Sequence, residues 1–195
     1  MDSLSGETVM DLRDELLISK PLQPGHEVAL ALLLTREYAS WFMDQRIFKP
    51  SGISDQQFNV LRILRGGPRE GYLICEIKRR MIFRNADVPR LIDRLTKQGL
   101  VRRRENPTDR RGTRIQITPK GQSLAERVDP LHNEAMGRIA GILNDQERKA
   151  VVELLGRLRV EFQAALGEAA VMEAEAPRPR QVNRASLIPK PRMKA

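Results

Sequence analysis

One cysteine, two histidines and few aromatic residues stand in a chain of 195 residues. The single thiol, Cys75, excludes an internal disulfide framework. It also excludes a zinc site built mainly from thiolates. Its place inside an apolar helical pattern points to a buried structural thiol. His26 and His132 lie in separate helical regions, with no HExxH or Cys/His ligand spacing around either. Neither a GxxxxGK[ST] loop nor a GxGxxG after a strand is present, so no phosphate cradle is expected. The expectation is therefore a protein without catalytic residues, metal or cofactor. Aromatic residues make up 4%, too few for a platform that stacks single-stranded nucleic acid. The longest apolar run, Val28 to Leu34, is too short to span a bilayer. Residues 1–7 lack the basic and apolar regions of a secretory signal. These absences lead to the expectation of a soluble, cytoplasmic protein with no membrane partner.

Positive charge, by contrast, is abundant. The net charge is +9, and the hydrophobic fraction of 41% is enough for a packed core. The surplus is localised: residues 61–120 hold 17 basic and 6 acidic side chains. The segments 1–60 and 121–172 are each mildly acidic, and 173–195 is basic again. A basic block between non-basic scaffolds is the electrostatic footprint of a nucleic-acid-binding module.

The chain divides by pattern. Residues 1–24 contain Pro21 and Pro24 and read as a flexible arm, with one short helix near Val9–Ile18. A helix is predicted over about 25–48, with Val28, Leu32 and Leu33 on one face and Trp41 and Phe42 further along. Ser54 with Gln57 forms the signature of a capping box before Phe58, Leu61 and Leu64. Leu73, Ile74, Ile77 and Met81 suggest a short helix over about 72–81. Asn85 is the expected cap of the next helix, over about 86–98, which Gly99 stops. With Asn85 as cap, Pro89 falls at the fourth helical position and should loosen the first turn.

After Gly99 the period becomes alternating. Leu100–Arg104 and Thr113–Thr118 read as two strands around a polar loop at 106–112, a β-hairpin with a basic tip. Pro119 opens the following helix, and Pro130 should kink it or split it in two. Asn144 or Asp145 caps a last helix carrying Val151, Leu154, Leu155, Leu158 and Phe162. Residues 173–195, with four prolines and six basic residues, read as a disordered basic tail.

Two successive short helices inside the basic block form a helix-turn-helix pattern. In the second, Val88, Leu91, Ile92 and Leu95 share the face that must pack on a core. The opposite face presents Arg90, Arg94 and Lys97, with Arg84, Asn85 and Asp87 at its start. Such a helix fits the major groove, where Arg90 is placed to read a guanine. Arg84, Arg94 and Lys97 are placed for phosphates. The hairpin tip, Asp109-Arg110-Arg111, could lower an arginine into the adjacent minor groove. Asp109 would then hold a neighbouring arginine or a turn amide. The fold class is thus mostly α with a small β-hairpin wing: a winged helix-turn-helix flanked by N- and C-terminal helices. The DNA-binding part spans about 54–118, inside a domain of 25–172. The flanking stripes, about 25–48 and 119–168, exceed what a small winged core can cover, which marks a dimer interface.

On these residues the chain resembles the MarR family of bacterial transcription regulators over about 26–165. Gln57–Leu64, Asp87–Leu95 with Gly99-Leu100-Val101, and Asp109-Arg110-Arg111 with Ile117-Thr118-Pro119-Lys120-Gly121 carry the resemblance. It implies a winged-helix homodimer that binds double-stranded DNA at a pseudo-palindromic operator. It implies a wing organised by Asp109 and Arg111, and a small aromatic or acidic effector near the junction of the dimer and DNA-binding parts. Trp41, Phe42 and Arg46 are candidate lining groups, with core packing the default for the two aromatics. Two features depart from the family pattern: Ala86 and Pro89 at the start of the recognition helix, and Lys78-Arg79-Arg80 where an acidic residue is usual. The competing reading is a non-specific architectural DNA- or RNA-binding protein that uses the basic core and tail.

Overall fold

The computed structural model describes residues 11–105 and 113–175. Its elements are α1 (Leu12–Glu15), α2 (Pro24–Met43) continued by a π-helical turn (Asp44–Phe48), α3 (Asp55–Arg65), β1 (Tyr72–Leu73), α4 (Ile74–Arg80), α5 (Val88–Lys97), β2 (Val101–Glu105), β3 (Thr113–Ile117), α6 (Pro119–Gly141) and α7 (Asp145–Glu175). The described residues divide into two compact units, one up to residue 139 and one from residue 140. Among the described residues, no helix is long and apolar enough to cross a membrane.

The first unit has a core drawn from five helices, α2 to α6, and a sheet. Leu61 of α3, Ile77 of α4, Ile92 and Leu95 of α5, Ile115 of β3 and Val128 of α6 are all essentially sealed from solvent. The start of α3 follows from its sequence: Ser54 Oγ accepts from Gln57 N–H at 3.2 Å, and Gln57 Oε1 accepts from Ser54 N–H at 3.0 Å. α5 ends as Gly99 dictates. Its φ of +70° allows a Schellman closure, with Gly99 N–H bonded to Thr96 O and Leu100 N–H to Leu95 O, both at 2.9 Å.

The sheet has three strands in the order β1-β3-β2, one more than the expected hairpin. Tyr72 and Leu73, read from sequence as the start of a helix, pair antiparallel with Ile115 and Arg114. Two residues are too short a run for alternation to show, and Ile74 and Ile77 extend the helical spacing backwards over them. The hairpin itself is present as expected, and its register sets Arg103 opposite Ile115 and Arg102 opposite Gln116.

Other expectations need correction. Cys75 is exposed, because it lies about two positions round the helix from Ile77 and so faces away from the core. Pro130 does not split α6, which is one helix from Pro119 to Gly141: the buried Ala125, Val128 and Ala135 hold both sides of the proline against the same core, leaving the kink as the surviving half of that expectation. Trp41 on α2, for which core packing was the default, is 64% exposed; Val28 and Leu33 are exposed as well, as a stripe wider than the winged core can cover would be. Only its C-terminal end, Met43 with Ile47 and Phe48 of the π-helical turn, enters the core. The short helix expected near Val9–Ile18 is the single turn Leu12–Glu15, capped by Asp11, whose Oδ1 accepts from Arg13 N–H at 2.8 Å.

The second unit is mostly α7. Asn144 caps it, with Oδ1 accepting from the N–H groups of Gln146 and Glu147 at 2.9 and 3.0 Å. Along it Val151, Leu154 and Phe162 are exposed, whereas Leu155 and Leu158 are half-buried.

Candidate nucleic-acid interface

α4, the turn 81–87 and α5 form the helix-turn-helix. Its turn is fixed from outside: Ile82 N–H donates to Asn59 Oδ1 of α3 at 3.0 Å. Met81 is buried beside it. The cap of α5 is Asp87, not Asn85. Asp87 Oδ1 accepts from Arg90 N–H at 3.1 Å, and Asn85 lies in the turn before it. That shift resolves the proline. Pro89 becomes the second helical residue, where an N–H would have no helical partner, so its ring costs α5 no hydrogen bond. An acidic cap also suits the positive end of the helix dipole.

Val88, Leu91, Ile92 and Leu95 are buried, which turns the other face of α5 outward. Arg84, Asn85, Asp87, Arg90, Arg94 and Lys97 are all exposed. Among the described residues, the side chains of Arg90, Arg94 and Lys97 make no ion pair or hydrogen bond. Arg84 is different, since its Nη1 donates to Arg79 O at 3.3 Å. Asp109, Arg110 and Arg111 lie outside the described residues.

Many other cations of the basic block are engaged internally. Arg102 Nε donates to Gln116 Oε1 at 3.0 Å, and Arg103 Nη2 to Asp93 Oδ1 of α5 at 2.6 Å. Arg114 Nη1 donates to Gly71 O at 2.7 Å. Arg62 and Arg65 of α3 pair with Asp129 of α6, Arg62 Nε at 3.6 Å from Oδ1. The pairing of Asp93 with Arg103 was not foreseen from sequence. The alternating strand pattern around Arg103 was its only signal.

The first turn of α6 is bolted to the end of α5. Thr118 Oγ1 donates to Gly99 O at 2.7 Å and accepts from Gly121 N–H at 3.1 Å. Lys120 Nζ donates to Gln98 O at 2.9 Å, and Gln98 Oε1 accepts from Gln57 Nε2 at 3.0 Å. A Cβ at Gly121 would collide with the Leu100 carbonyl oxygen, so only glycine permits this approach. The Thr-Pro-Lys-Gly run is thus a joint between the recognition helix and the long helix that follows it.

Behind the helix-turn-helix lies a cavity of about 490 Å³ whose lining includes Arg36, Phe48, Phe58, Arg62, Phe83 and His132. His132 packs against Phe58 with ring centroids 5.4 Å apart. Burial, aided by the Arg62 charge, pushes the His132 imidazole below its ordinary pKa. His132 Nδ1 and Asp129 Oδ1 are buried without a hydrogen-bond partner among the described residues. Phe42 and Arg46 line a smaller cavity of about 280 Å³ with Leu131, Glu134 and Arg138, whereas Trp41 lines neither. Among the described residues, no group of three His, Cys, Asp or Glu is placed to hold a metal ion.

Comparison with known proteins agrees with this geometry. The sequence model of the MarR family matches residues 51–112, from just before α3 to the end of the wing loop. The transcriptional regulator PecS of Dickeya dadantii is 31% identical over 117 residues, covering 58% of this chain and 69% of PecS. MhqR of Bacillus subtilis is 28% identical over 131 residues, covering 66% of this chain and 88% of MhqR. The structure of Bordetella bronchiseptica BpsR, whose DNA binding is regulated by 6-hydroxynicotinic acid, superimposes with a TM-score of 0.58 at 26% identity. It covers 68% of this chain and 98% of BpsR.

Proposed function

The chain belongs to the MarR family of DNA-binding transcription regulators, and from that premise we propose that it is a homodimeric repressor of a pseudo-palindromic operator, released by a small ligand. The observation that carries the reading is the outward face of α5. Among the described residues, Arg90, Arg94 and Lys97 stand there with no internal partner, on a helix whose other face is buried. In this reading Arg90 contacts a base edge, while Arg84, Asn85, Asp87, Arg94 and Lys97 border the contact. Asp109, Arg110 and Arg111 form the wing's share of it. A two-fold dimer would meet half-sites about one helical turn, or roughly 10 bp, apart.

Exposed apolar side chains support dimerisation. α2 carries Val28, Leu33, Tyr38 and Trp41 in the open, and α7 separately carries Val152, Val160, Phe162 and Leu166. Such surfaces on helices normally face a partner. The two ends of the domain, about 25–48 and 119–168, then form the interface, with about 54–118 left for DNA. The 490 Å³ cavity is the effector site in this reading. Three phenylalanine rings line it beside Asp55, and Arg36 and Arg62, paired at present with Glu37 and Asp129, could exchange those partners for the carboxylate of a small aromatic acid, the class to which BpsR's 6-hydroxynicotinic acid belongs.

Footprinting on the DNA flanking its own gene tests the reading. A protected inverted repeat, lost on adding an aromatic acid, is expected. Equal affinity for random duplex would favour the architectural alternative.

A further inference from the structure

Lys78 and Arg79 stand apart from the other cations of the helix-turn-helix. α4 has seven residues, and Ile77 with the following Met81 fixes its buried side. Arg79 therefore points away from the core, with Lys78 beside it; both are exposed. The neighbouring charges are already engaged. Glu76 Oε2 accepts from Leu73 N–H at 2.7 Å. Arg80 lies over the Tyr72 ring, 4.2 Å from its centroid, and donates to Glu76 O at 2.9 Å. Arg84 folds back onto Arg79 O, the contact that brings the end of α4 against the turn leading into α5. Among the described residues, the side chains of Lys78 and Arg79 have no partner, and no carboxylate is left on α4 to neutralise them.

We propose that Lys78 and Arg79 bind the phosphates bordering the groove that α5 enters, so that contact with DNA begins on α4. This rests on the reading of α5 as the recognition helix. The first helix of a helix-turn-helix crosses the sugar–phosphate backbone as the second enters the major groove. Cations carried there add affinity by releasing counterions, without reading sequence. The anchored turn matters to the proposal. Ile82 is tied to Asn59, and Asp87 caps α5, so the two helices present their cations as one rigid unit.

The alternative role for a cation in a last turn is to complement the helix dipole. Salt titration separates the two. The full-length protein and its Lys78→Gln/Arg79→Gln double variant are titrated against operator and random duplex. The slope of log affinity against log salt should fall by about 1.8, at about 0.9 per phosphate contact. The preference for operator over random duplex should not change. The charge-keeping variant Lys78→Arg/Arg79→Lys should retain the parent slope. An unchanged slope in the double variant, with or without a lower melting temperature, overturns the proposal. Arg90→Ala run alongside isolates the premise. If the parent protein shows no operator preference for Arg90→Ala to lose, the recognition-helix reading has failed. If that preference is present and only the double variant is silent, this proposal alone has failed.

Discussion

Arg103 of β2 donates through Nη2 to Asp93 Oδ1 of α5 at 2.6 Å, joining the wing's first strand to the recognition helix. The pair is largely exposed, so its contribution to stability is about 1 kcal/mol or less. Its effect should lie in DNA binding. Asp93 is the one acid on the outward side of α5, and it is neutralised by a group that also fixes the wing. Asp93→Asn frees Arg103 and removes a carboxylate from the side of α5 proposed to face DNA. Affinity for random duplex should rise while the melting temperature barely moves. A fall in affinity for both operator and random duplex would show that wing placement outweighs charge.

Arg90→Ala should cost operator binding about 1–3 kcal/mol and relax specificity at one base position. Competition binding with single-base operator variants measures this. Equal weakening on every sequence would assign Arg90 to a phosphate instead.

The cap of α5 gives a prediction about folding. Asp87→Ala should destabilise by about 1 kcal/mol, the usual cost of a lost N-cap, and Asp87→Asn by much less. Asn85→Ala should leave stability nearly unchanged. Urea denaturation of the three variants decides between the two capping positions.

Gly121→Ala should be more damaging than its single methyl suggests. The added carbon meets a backbone carbonyl, which cannot rotate away, so a loss of about 1–3 kcal/mol is expected. Thermal unfolding reads it directly. A variant as stable as the parent would mean that the α5–α6 joint gives way easily.

His132 makes stability depend on pH. Its pKa in the folded chain lies below the ordinary 6.5, chiefly through burial and then through Arg62, with Asn133 opposing. Between those two values the unfolded chain holds a proton that the folded chain does not. Stability is therefore full above pH 6.5 and is lost as pH falls through the lowered value. Denaturation on either side of pH 6.5 should show this slope in the parent and a flatter one in His132→Gln. Equal slopes would remove His132 as its source.

Much of this was legible in the sequence because the signals were local. Ser54 with Gln57, Gly99 in its turn, and the spacing of Val88, Leu91, Ile92 and Leu95 each act within one or two helical turns. What escaped depended on distant residues. Tyr72 and Leu73 become a strand only because β3, some forty residues later, offers an edge. Asp87 and Asn85 are both good caps in isolation, and the anchoring of Ile82 by Asn59 sets where the turn stops. The apolar stripe of α2 was legible as more than a small winged core can cover, and Val28 and Leu33 are exposed; what the sequence did not say is that Trp41 lies on the uncovered part, since nothing local tells which residues of a stripe meet the core. The wing tip at Asp109, Arg110 and Arg111 rests on sequence alone.

The joint at Gln98 has a mechanical consequence. Gln57, Lys120 and the Gly99 closure pin the C-terminal end of α5, and the buried Val88 with the Ile82–Asn59 tie holds its N-terminal end. The helix has no free end to tilt about, so a movement of α6 passed through the joint at Gln98 must carry α4 and α5 together. Arg90 sits eight residues from that joint, roughly 12 Å along the axis, so a rotation of this body by about 5° carries it about 1 Å. A displacement of α6 too small to disturb the core could thus move a guanidinium out of hydrogen-bonding reach of a base.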